Sequence, residues 1–187
     1  MKKLLIYIIF LFLCSCKKED ANVIEIDNSP IYEPGSMEYG WTTAKKNGKD
    51  FKASTLALKY KNYNKKFGIL FGTYTIDGAQ RDFAILNSIK YEVGKYQVTL
   101  SDNLDTNKVN MSYYTHAYDG DITEDKYIID EGANNYIIIT EIDTIKNSVK
   151  GEFLLNLLIA PDQPKNNPLN PNKLKFTEGK FETRFPK

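Results

Sequence analysis

The stretch VKGEFLLNLLI, Val149 to Ile159, decides the fold class. Val149, Gly151, Phe153, Leu155, Leu157 and Ile159 fall on one alternating face, and Lys150, Glu152 and Asn156 fall on the other. An apolar period of two places one row of side chains in a core and the other in solvent, which is a strand. Working outward, the same kind of signal recurs along most of the chain. Tyr136 to Ile142 has apolar residues at both parities, which predicts a central strand covered on both faces. Leu174 to Phe185 predicts a closing strand. There Leu174 and Phe176 share one parity and Phe181 and Phe185 the other, so a bulge at Glu178-Gly179 is needed to return all four to one face.

Upstream, Trp41 to Ala53 is two extended runs around Asn47-Gly48. This dipeptide suits the positive φ angles of a type I′ hairpin turn. Strands are predicted at 67–76, 83–89, 95–100, 111–118 and 127–129. The segment APDQPKNNPLNPN, Ala160 to Asn172, carries four prolines and reads as a long excursion between the last two strands. A Gly-x-aromatic motif recurs at Gly72/Tyr74, Gly94/Tyr96, Gly151/Phe153 and Gly179/Phe181. Two residues apart on a strand share a face, so each glycine leaves room for a ring. No amphipathic helix and no repeat period stands out. The expected fold is all-β: an antiparallel β-sandwich or flattened barrel of about nine to ten strands, occupying residues 39–187 as a single domain.

The N-terminus reads differently. Met1-Lys2-Lys3 precedes ten apolar residues, Leu4 to Leu13. As a helix these would cover about 15 Å, half of the roughly 30 Å of bilayer hydrocarbon, so the layout is that of a secretory signal. Its ending, Leu13-Cys14-Ser15-Cys16, resembles the bacterial lipoprotein box. Matched position by position, Leu13 takes the box leucine, Ser15 the small residue before the cut, and Cys16 the lipid acceptor. Cys14 stands where Ala, Ser or Thr is more usual. The resemblance implies residues 1–15 as a cleaved signal and a Cys16 carrying two or three fatty chains, palmitate among the usual ones, enough for stable anchoring. Lys17-Lys18-Glu19-Asp20 looks like the surface-export signal of Bacteroidota lipoproteins, which implies the outer membrane and an outward-facing protein. Residues 16–38, with Asn28-Ser29-Pro30 and Glu33-Pro34-Gly35-Ser36, read as a tether.

Removing residues 1–15 leaves 172 residues with 23 basic and 24 acidic side chains. Without a strong net field, neither nucleic acid nor an anionic membrane surface is expected to be drawn to this chain. Cys14 leaves with the signal and Cys16 becomes a thioether, so the mature chain keeps no thiol for a disulfide or a cysteine nucleophile.

The hairpin Asn47-Gly48-Lys49-x-Phe51-x-Ala53, the stretch Ile139-Thr-x-Ile-Asp143 running into Gly151-x-Phe153, and the closing Glu178-Gly179-Lys-Phe181 resemble a family of uncharacterised Bacteroidota lipoprotein domains. The likeness covers Tyr39 to Phe185. It implies the envelope location and brings no catalytic residue to carry over.

Chemistry-bearing patterns are sparse. His116 is the single histidine, and the nearest serine, Ser112, lies about 13 Å away along the same strand. No G-x-S-x-G elbow, phosphate loop or dinucleotide fingerprint is present, and nothing calls for a cofactor. Asp119, Asp121, Thr123 and Asp125 alternate, but Glu124 and Asp130 stand where an EF-hand loop needs Gly and Glu, so a solvated acidic turn is the default reading over a calcium site. The remaining lead is aromatic. Tyr114, His116 and Tyr118 share a parity and form a candidate platform for a glycan or peptide. The functional expectation is a lipid-anchored, non-enzymatic binding or assembly module with a protein or glycan partner. A hydrolase whose acids meet only in three dimensions and a lipocalin-like carrier are the alternatives.

Overall fold

In a computed structural model of the chain, residues 39–60, 65–100 and 108–186 are described. The signal, Cys16 and the tether lie outside them. The described residues form ten strands and no helix: β1 Gly40–Lys46, β2 Lys49–Lys59, β3 Lys66–Tyr74, β4 Gln80–Lys90, β5 Gly94–Thr99, β6 Val109–His116, β7 Thr123–Ile129, β8 Tyr136–Asp143, β9 Ser148–Ile159 and β10 Lys173–Arg184.

Nine of them close into a barrel in the order β10-β1-β2-β3-β4-β6-β5-β8-β9, with β9 pairing back onto β10. The tenth, β7, bridges β6 and β9. The wall is therefore forked. Towards one end of the barrel the gap between β6 and β9 is filled by β7 alone, and towards the other by β5 and β8. Asn135 sits buried at the fork. Its Nδ2 donates to the carbonyls of Asp130 and Ala133, and its Oδ1 accepts from the backbone N–H of Asn156 at 2.7 Å. Strand edges that would otherwise face nothing are thus satisfied by one side chain. The single parallel pairing, β5 with β6, arises here and spans only Val98 and Thr99.

Of the two architectures expected, the closed barrel is the one adopted. The Asn47-Gly48 turn has φ of 51° and 83°, as a type I′ turn needs. The bulge in β10 lies between Phe176 and Gly179, with Glu178 at φ 53°, and Leu174, Phe176, Phe181 and Phe185 all face inward. One expectation is corrected: β8 is not covered on both faces. Ile137 and Ile139 are buried, whereas Tyr136 and Ile138 are half-buried and face outward, with the Lys95 ammonium 4.0 Å from the Tyr136 ring. Its apolar residues at both parities arise because the register shifts between Ile139 and Glu141, which moves Ile142 back towards the core.

The interior is filled by side chains. Phe51, Phe71 and Phe176 meet edge to face, Phe153 stacks on Phe71 at 5.9 Å, and Tyr113 packs against both Tyr127 and Phe176. The Gly-x-aromatic motif has a reciprocal use in β9 and β10. Gly179 pairs with Phe153 and Gly151 with Phe181, so each ring lies over the other strand's glycine. A Cβ at Gly151 would fall 2.5 Å from Phe181 Cζ, which is why neither position tolerates a side chain. Among the described residues the core runs from Ala44 to Phe185.

Candidate functional site

The two barrel ends differ in chemistry. At one end lie the turn Asn47-Gly48 and the β3–β4, β6–β7 and β9–β10 loops. At the other lie the start of β1, the β8–β9 turn and the end of β10, where the backbone N–H of Arg184 donates to the Tyr39 carbonyl. The chain leading from Cys16 therefore enters at the second end.

Just inside the loop-bearing end is a buried carboxylate, Asp82 on β4. Its Oδ1 accepts from Lys46 Nζ at 2.9 Å and from Tyr113 Oη at 2.6 Å, and its Oδ2 accepts from Thr73 Oγ1 at 3.0 Å. Burial acts to raise the Asp82 carboxyl, but the Lys46 charge and these hydrogen bonds outweigh it and hold the group below its ordinary value of 3.8. Burial, then the Asp82 charge, raises the Tyr113 phenol well above its ordinary value, so Tyr113 stays a donor. The Lys46 ammonium also lies 5.2 Å from the Tyr113 ring.

A second buried carboxylate, Asp125 on β7, organises the loop above. It accepts from the backbone N–H groups of Asn166 at 2.8 Å and Asn167 at 3.4 Å, and from Asn170 Nδ2 at 2.6 Å. Glu124 beside it accepts from Asn167 Nδ2 and Asn170 Nδ2, and Tyr127 Oη donates to the Pro171 carbonyl. The asparagine-rich excursion is thus pinned from beneath at four residues. The β3–β4 turn closes on itself through Thr75, whose Oγ1 accepts from the Ala79 N–H at 3.0 Å. The β6–β7 turn places Gly120 at φ 79°, against Ala79 of the neighbouring turn and Gln80 at the start of β4. Side chains at the tips of these loops stand in solvent: Ile76, Tyr118, Ile122 and Leu169 are each more than half exposed, and Leu169 reaches 90%.

The predicted site residues fall close by. Tyr114 and His116 occupy the outer face of β6, half-buried, with Phe83 of β4 6.4 Å from the Tyr114 ring. β6 ends at His116, so Tyr118 belongs to the turn and is not carried by strand parity; the Arg81 guanidinium lies 5.9 Å from its ring. Burial lowers the His116 pKa, with the Asp82 charge acting against it. The alternating acids do not converge on one point. Asp119 accepts from the Asp121 N–H, while Asp125 points into the barrel. Among the described residues no group of three or more His, Cys, Asp or Glu side chains is placed to hold a metal ion. Cys16 lies outside the described residues.

Sequence reasoning missed Asp82 and the Asp125 anchor. A signal was available for the first. Asp82 shares its parity with Ala84 and Leu86, so the alternation that makes β4 a strand also turns Asp82 inward. Comparison with protein-family models, with curated proteins and with solved structures found no match to this chain.

Proposed function

We propose that this protein is a lipid-anchored lipoprotein of the cell envelope, held at the outer membrane through Cys16, and that it works as a non-enzymatic binding module whose partner docks at the loop-bearing end. The observation that carries the reading is the opposition of the two ends. The chain from the anchor enters beside Arg184, while Ile76, Tyr118, Ile122 and Leu169 project from the other end, where Asp125 holds the β9–β10 loop and Thr75 closes the β3–β4 turn. Loops already held in place lose little entropy on binding, so exposed apolar tips on them favour association.

Three of the four tips are aliphatic, which suits a protein surface better than a sugar, since sugars stack on flat rings. The carrier alternative is disfavoured because rings occupy the interior. For the hydrolase alternative, both buried acids are already engaged by internal donors.

The test combines two measurements. Mass spectrometry of the mature protein is expected to find Cys16 acylated, and Cys16→Ala is expected to release or mislocalise the chain. Photo-crosslinking residues placed in intact cells at positions 76, 122 and 169 are expected to capture one partner that the same residue at position 180, on the charged flank, does not. Equal capture from both places would remove the loop end from the reading.

A further inference from the structure

The chain as a whole is nearly neutral, yet one end of the barrel is basic. The end where the chain enters carries Lys59, Lys65, Lys66, Lys90, Lys146 and Arg184 at strand ends and turns, against Glu92 and Asp143. The opposite end is mixed, with Asp77, Asp119, Asp121 and Asp162 among Lys46, Lys49, Lys165 and Lys173.

The basic end is also built flat and apolar beneath its charges. Phe67, Tyr91 and Phe185 close the barrel there, with ring centroids 5.5 to 6.0 Å apart. Lys59 Nζ lies across this lid, 4.8 Å from the Phe185 ring and 5.9 Å from Tyr91, and donates to Asn147 Oδ1 at 2.8 Å. Beside it is an open groove of about 500 Å3 lined by Lys65, Lys66, Lys90, Tyr91 and Glu92. Val93 and Ile145 project from the same end, 63% and 96% exposed.

We propose that this end seats on the anionic headgroups of the leaflet that holds the anchor, with the groove lysines taking headgroup phosphates and Val93 and Ile145 reaching the interface. The proposal rests on the lipid-anchor reading above, which supplies a membrane on this side of the barrel. A fatty chain fixes only where the protein is. A basic face beside it fixes how it stands, because lysines near an anionic surface each contribute on the order of fivefold in partitioning. So seated, the barrel would hold its opposite loops about 30 Å above the headgroups, the length of a 12-residue strand such as β9 after barrel tilt.

The unlipidated mature chain from residue 17, which retains the whole barrel, is the test protein. It is expected to sediment with vesicles of phosphatidylcholine containing phosphatidylglycerol and not with phosphatidylcholine alone. Raising salt from about 0.1 M to about 1 M shortens the screening length from about 10 to about 3 Å and should abolish binding. Lys65→Glu with Lys90→Glu should weaken partitioning on the order of a hundredfold, while Asp119→Lys with Asp121→Lys should not weaken it. Equal binding to both lipids, or no effect of the lysine reversals, would overturn the proposal. So would binding of inorganic phosphate with no binding to either vesicle, which would assign a small-anion site instead. Acylation of Cys16 is read separately by mass spectrometry, so an acylated protein that ignores headgroup charge sinks the seat alone, and an unacylated one sinks the anchor.

Discussion

The two ends of this barrel are closed by different chemistry. At the end where the chain enters, Phe67, Tyr91 and Phe185 form an aromatic lid. At the other, Asp82 gathers Lys46, Tyr113 and Thr73, and Asp125 gathers the asparagine-rich loop. Rings close a barrel without regard to direction or protonation. A carboxylate network closes it only while its donors are in place, but it also ties down the β9–β10 loop above it. The difference teaches that one end depends on direction and protonation and the other on packing alone, although exposed apolar side chains stand at both.

The comparison can be broken most severely at Asp82. Asp82→Ala leaves the partly exposed Lys46 ammonium and the buried Tyr113 hydroxyl without their acceptor and should cost about 2–3 kcal/mol in urea unfolding. A loss below about 1 kcal/mol would show the network to be incidental. At the aromatic end, Phe185→Leu keeps most of the volume and should cost less than about 1.5 kcal/mol.

The ends should also part on acidification. The Asp82 carboxyl is held below 3.8, so its stabilisation is fully present above that value and is lost as pH falls through the lower folded value. Thermal unfolding followed down to low pH should show this loss in the parent and a weaker slope in Asp82→Asn, whereas Phe185→Leu should keep the parental slope. Identical slopes in the parent and Asp82→Asn would mean other acids carry the dependence. The smallest effect is expected from Lys59→Met. It removes a cation from above two rings and should cost about 0.5–1 kcal/mol, with no change in what cross-links to the loop tips.

Much of the wall was legible because a strand's period of two is a local property. Val149 to Ile159 and the bulge at Glu178 could be placed from single stretches. The buried network was harder for a geometric reason. Asp82 meets Tyr113 and Lys46 across sequence separations of 31 and 36 residues, and alternation says which side of a strand a residue faces without saying what stands opposite. The aromatic platform shows the same limit. Parity put Tyr114, His116 and Tyr118 together, but the strand stops at His116, and the turn that carries Tyr118 follows its own geometry.

Taken by itself, the sequence determined that this chain is built of strands, where most of them run and which turn residues join them, and it raised the expectation of a lipoprotein signal over residues 1–15. Those are local matters of side-chain alternation, φ preference and apolar run length. Only the tertiary structure decided that the sheet closes into a forked barrel, that Asp82 and Asp125 are interior, and that a group of lysines gathers at the end where the chain enters. Each of these depends on which distant strand edges meet, and closure is the one step that no short stretch of chain can specify.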